Sequence, residues 1–166
     1  MKFKKHNKKH FWKIVTIAML LPVLFAILDL VGAAMWKSLG GFAGEAYVMA
    51  EPTYMVLFWT FAYAIIILIA TTYYILTKDK SESLALLLVP TILLQFGAED
   101  VIYYFLGGHE FWTATMPWLT ENLWAPTLMA WSVGLEVITG PVLLVSAIIG
   151  YILAYIVAKQ LVKIHP

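Results

Sequence analysis

The chain has 166 residues, 62% of them hydrophobic and 13% charged, with a formal net charge of +1 and no cysteine. An ordinary globular mixture is roughly 45–50% apolar and about 25% charged. A compact membrane protein is therefore expected, with no room for a separate soluble domain. The missing cysteines exclude disulfides, thiolate nucleophiles, dithiol relays and Cys-ligated zinc or iron–sulfur centres.

Residues 1–13 carry Lys2, Lys4, Lys5, Lys8, Lys9 and Lys13 with His6 and His10, and no acid. Such a run marks the cytoplasmic flank of a first span and meets the anionic headgroups of the bilayer. It is short, lacks Arg and abuts an apolar segment, so nucleic acid is not an expected partner. The first apolar segment follows, over about 14–36. Its basic leader and Gly32-Ala33-Ala34 imitate a cleaved signal peptide, but the run is long for a signal h-region, and a retained helix is expected. Ala18, Pro22, Ala26, Asp29 or Leu30, and Ala33 recur at helical spacing, which puts Asp29 on a face of small residues and so into a bundle.

Gly40-Gly41, Gly44 and Pro52 break the chain into a loop carrying Glu45 and Glu51. A second span is expected over about 54–76, free of charge and so the most lipid-exposed. After the polar turn 78–83, a third span runs over about 84–106 and contains Pro90, Gln95, Glu99 and Asp100. Gly107-Gly108-His109-Glu110 ends it. Trp112, Trp118 and Trp124 then mark a connector at headgroup level. The last apolar segment, about 128–158, exceeds the roughly 20 residues a bilayer requires, and Gly140-Pro141 is its expected kink. Beyond it Ser146, Gly150, Ala154 and Ala158 form a small-residue stripe for close packing.

The expected architecture is all-α: one transmembrane domain, 1–166, built as an integral membrane four-helix bundle. The lysines before span one, between spans two and three, and at Lys159 and Lys163 fall on one side, which makes both termini cytoplasmic. Most acids then fall on the other side, Asp29, Glu99 and Glu136 at a similar depth. At 1.5 Å per residue, Asp29 and Glu99 lie about 10 Å inside the outer boundary. A charged residue inside a span costs about 2.5–3.5 kcal/mol on insertion scales. No Lys, Arg or His stands in the outer half of any span to offset this. The acids must be protonated, face water or hold a cation. The simpler alternative leaves Glu99, Asp100 and Glu136 at shallow, wetted helix ends.

Gln95, Tyr103 and Tyr104 are placed to hydrogen-bond the carboxylates, or, for the tyrosines, to anchor in the interface. His109-Glu110 beside the acids invites a metal, but there is no E-x-x-H pair, and a lone loop histidine is ordinarily solvated, so no metal is assigned. No His or Lys stands mid-span for a haem or a retinal Schiff base. No phosphate-binding glycine loop, nucleophile elbow or H-E-x-x-H appears, and no cofactor is expected.

Pro22 with Asp29-Leu30, Glu51-Pro52 before an aromatic helix start, Gly97-Ala98-Glu99-Asp100-Val101-Ile102-Tyr103-Tyr104-Phe105-Leu106, and Gly140-Pro141 together resemble the emopamil-binding and sigma-2-receptor-like (EXPERA) membrane proteins. The resemblance implies a helical bundle whose intramembrane acids, here Asp29 and Asp100, bind amine-bearing hydrophobic ligands and in some members protonate a sterol double bond. The chain departs from the pattern in having no acid in span two and no histidine in a span, which counts against isomerase chemistry. The same residues with Met116-Pro117-Trp118-Leu119 also look like small four-span prokaryotic membrane proteins, a resemblance that implies the cell membrane.

The functional expectation is an outward-facing, carboxylate-lined pocket between spans one, three and four. Asp29, Gln95, Glu99, Asp100, Tyr103, Tyr104 and Glu136 line it, and its ligand is a hydrophobic small molecule, in the first place a cationic one, or a lipid. Two alternatives stand beside it. In one, a membrane-embedded enzyme uses Glu99 or Asp100 as general acid. In the other, a small accessory subunit packs into a homo-oligomer or larger membrane complex through the Ser146, Gly150, Ala154 stripe.

Overall fold

The computed structural model describes residues 8–38, 52–120 and 122–162. The loop acids Glu45 and Glu51, Glu121, Lys163 and the first lysines lie outside the described residues. Among the described residues the chain is all-α apart from one pair of two-residue strands. Helix α1 (Lys8–Ser38) continues through Pro22, and α2 (Pro52–Thr77) is the second long helix. A tight turn leads into α3 (Lys80–Gln95), where the Asp79 carboxylate accepts from the main-chain N–H of Ser81 at 3.0 Å and of Glu82 at 3.1 Å. These bonds satisfy two donors that a helix start leaves unpaired. Asp79→Ala is expected to lower stability by about 1 kcal/mol, read as a lower unfolding temperature in detergent.

The expected third span is broken. Helix α3 stops at Gln95, and α4 (Ala98–Gly107) leaves it at 63°. Gly97 makes the turn, with φ +75 in the left-handed region where a side chain is strained. The space a Cβ would fill there is taken by Leu143, whose Cδ1 would lie 2.3 Å away. Phe96 is wedged against Gly150, where an added Cβ would meet the phenylalanine Cβ at 2.5 Å.

Beyond α4, strand β1 (Thr115–Met116), the one-turn α5 (Pro117–Thr120) and α6 (Trp124–Ser132) form a cap. Strand β2 (Ile138–Thr139) pairs antiparallel with β1, Thr115 opposite Thr139 and Met116 opposite Ile138. Helix α7 (Gly140–Leu161) closes the chain. The fourth apolar segment is thus two helices separated by non-helical chain. Gly140-Pro141 is the start of a helix and not a kink, with Pro141 in the first turn, where its missing N–H leaves no hydrogen bond unmade.

Among the described residues three helices, α1, α2 and α7, are long and apolar enough to cross a membrane, and the bent α3–α4 pair makes four if counted as one span. Only 17% of the α2 span is buried, against 44% for α1 and 33% for α7, in keeping with the charge-free second span being the most exposed. Helix α3 is the hub, packed on α1, α2 and α7, while α4 packs on α1 and α7. Trp12 stacks on Tyr155 at 6.0 Å, so the start of α1 and the end of α7 share one end of the molecule. Ser146, Gly150, Ala154 and Ala158 are all buried inside the chain. The small-residue stripe is used for internal packing, so it does not serve as a free face for a larger complex.

Candidate functional site

Helix α1 carries Asp29 inward at 4% exposure. The first turn of α4 carries Glu99 at 1% and Asp100 at 5%. The bend at Gly97 accounts for this placement: by ending α3 and starting a new helix inside the fold, it sets both acids at a helix N-terminus, whose partial positive charge offsets part of the cost of burying them. Glu99 and Asp100 are neighbours in the first turn of α4, and α4 packs on α1, which carries Asp29. Glu99 Oε1 and Asp100 Oδ2 are buried without a hydrogen-bond partner among the described residues. A buried polar atom left so costs about 1–3 kcal/mol.

Asp29 has a partner that the sequence did not disclose. The Tyr54 hydroxyl, from the first turns of α2, donates to the Asp29 carboxylate and lies 3.0 Å from its main-chain oxygen. Tyr54 is also within electrostatic reach of Glu99 and Tyr103. Its ring lines an apolar groove of about 570 Å³ between α1 and α2, with Leu28, Gly32 and Met35 on one wall and Leu57, Phe58 and Phe61 on the other. This volume falls within the roughly 300–1,000 Å³ of small-molecule sites.

No family model, curated protein or solved structure matches this chain. The chemistry of the site is that of its own side chains.

Of the seven expected residues, the structure brings together Asp29, Glu99, Asp100, Tyr103 and Tyr104. Tyr103 and Tyr104 are buried but make no hydrogen bond to the acids among the described residues. They build an aromatic wall, edge to face at 6.1 Å, with the exposed His109 stacked on Tyr103 at 5.6 Å and edge-on to Tyr104 at 5.7 Å. Gln95 is turned elsewhere and donates to the Tyr63 hydroxyl on α2 at 2.5 Å. Glu136 does not join the site. It is exposed in the chain between α6 and β2, because the helix expected to carry it inward ends at Ser132. Among the described residues no three His, Asp or Glu side chains converge as a metal site would require.

Tyr54 was visible in the sequence only as an aromatic residue at a helix start, which reads as an interfacial anchor. Nothing in the spacing of α2 relates it to Asp29, 25 residues earlier. The one signal was Gly32, one turn beyond Asp29, which clears room for a large side chain. A Cβ there would stand 3.0 Å from the Tyr54 hydroxyl.

Proposed function

We propose that the chain is a multi-pass membrane protein of four spans, both termini cytoplasmic, which binds a hydrophobic amine or a cationic lipid at Asp29, Glu99 and Asp100. The reading rests on one observation: three carboxyls are buried on the packed helices α1 and α4, with Glu99 Oε1 and Asp100 Oδ2 unpartnered and no ion pair to any of them among the described residues. A protonated amine supplies both the missing charge and the missing N–H donors, and charge-assisted hydrogen bonds are the strong ones. The apolar groove alongside suits the rest of such a molecule, and the resemblance to the EXPERA proteins supports the same ligand class.

Acid catalysis is less well supported. Proton transfer calls for a positioned partner within hydrogen-bond reach, and no hydrogen bond joins Glu99 or Asp100 to a second acid or a base among the described residues. The test of binding is a thermal-shift series with dodecylamine, using dodecanol as the neutral control. A ligand at 100 times its Kd stabilises by about 2.7 kcal/mol, or roughly 5–10 °C at about 2–4 °C per kcal/mol for a chain of this size. Wild type should show this shift with the amine alone, and Asp29→Asn should lose most of it. Equal shifts in the two proteins would discard the reading.

A further inference from the structure

We propose that Tyr54 sets the affinity of the site by competing with the ligand: its hydroxyl occupies the position at Asp29 that an incoming ammonium takes, and its ring closes the inner end of the α1–α2 groove in which the amine's alkyl chain lies. The inference deepens the amine-binding reading and rests on it.

Three observations meet at this residue. The Tyr54 hydroxyl donates to the Asp29 carboxylate. The same side chain forms part of the groove wall and stacks on Phe58 at 6.5 Å, 17° from parallel. Gly32, also in the groove, lies directly beneath the hydroxyl, 3.0 Å from where a Cβ would be. One aromatic side chain thus lines an apolar groove and holds a buried acid.

The groove opens between the walls of α1 and α2, and its rim residues Met35, Leu57 and Phe61 are more than half exposed. A molecule with an alkyl chain reaches it from the side. Apart from Tyr54, Thr60 is the only polar side chain in the lining among the described residues, so the groove takes the chain and not the charge. For the charged end to meet Asp29, the tyrosine hydroxyl has to give way. The exchange keeps the Asp29 oxygen that Tyr54 bonds paired when the arriving group carries its own N–H, because one donor replaces another and a full positive charge is gained. The occupant is therefore a single-chain amine with at least one N–H.

The experiment compares dodecylamine binding to wild type, Tyr54→Phe and Asp29→Asn in phosphatidylcholine nanodiscs, each corrected against empty nanodiscs. Phenylalanine keeps the ring and removes the competing donor. A hydrogen bond to a charged group contributes about 1.5–3 kcal/mol, so Tyr54→Phe should bind at least tenfold more tightly, while Asp29→Asn loses binding. A residue that only holds the fold would not raise affinity when trimmed. Should the phenylalanine variant fail to fold, Tyr54→Met keeps an unbranched apolar side chain over Gly32 and carries the same comparison. If Asp29→Asn loses binding while Tyr54→Phe binds no more tightly than wild type, the competition is refuted and the amine site stands. If neither wild type nor Tyr54→Phe binds the amine, both readings fail.

Discussion

Gly140→Val is expected to leave little folded protein. A Cβ at this position would stand 1.9 Å from the main-chain oxygen of Phe111 and 2.9 Å from its carbonyl carbon, so the obstacle is backbone and cannot be relieved by a rotamer change. Gly140 does not need unusual dihedral freedom; it needs the close approach. Its own N–H donates to Ala114 O at 3.2 Å, and the next residues back are those of β2, paired with β1. Moving Gly140 away from Phe111 would pull apart that pairing and the start of α7 together. Overpacking usually costs about 1–3 kcal/mol and occasionally more, and a clash between two backbones belongs at the upper end. At about 2–4 °C per kcal/mol, the unfolding temperature should fall by roughly 6–12 °C or more. Gly134→Asn is the control: its φ is +79, which Asn tolerates, and nothing lies within 4 Å of the added Cβ. If Gly140→Val unfolds no earlier than that control, the seat of α7 against Phe111 is wrong.

The apolar runs of the sequence placed the long helices, because mean hydropathy over about 20 residues is a one-dimensional property. They did not reveal where those runs stop being helix. Gly97 stood in full view between Phe96 and Ala98, but glycine is common in apolar spans, and the signal that it turns the chain is its contact with Leu143, 46 residues later. Gly140-Pro141 was ambiguous in a different way: a proline with apolar residues on both sides reads as a kink as readily as a first turn, and only the strand pairing of Ile138 and Thr139 decides between them. The error at Glu136 followed from that ambiguity, since its expected depth assumed one helix from about residue 128. The inward placement of Asp29, Glu99 and Asp100 was legible because a carboxylate in an apolar run is anomalous at the level of composition, whereas the bond from Tyr54 to Asp29 was not, because a tyrosine at the end of an apolar helix is ordinary.

Glu99→Met is expected to make the protein more stable and less able to bind an amine. Glu99 is 1% exposed, Oε1 has no partner among the described residues, and the likewise buried Asp100 is its neighbour in the first turn of α4. Removing one member of a satisfied buried network destabilises; replacing a group that is already unsatisfied by an apolar one of similar length removes its desolvation cost. The gain should be about 1–3 kcal/mol, a rise of roughly 2–12 °C in unfolding temperature at about 2–4 °C per kcal/mol. Glu99→Gln, which keeps a polar end in the same place, should gain less. The same two variants should show smaller thermal shifts with dodecylamine, because each removes one of the charges that attract it. This opposition between stability and binding is what a ligand site predicts, since groups placed for a ligand are strained until it arrives. A lower unfolding temperature for Glu99→Met would mean that the carboxyl takes part in the protein's own bonding. The two unpartnered oxygens would then no longer argue for an amine.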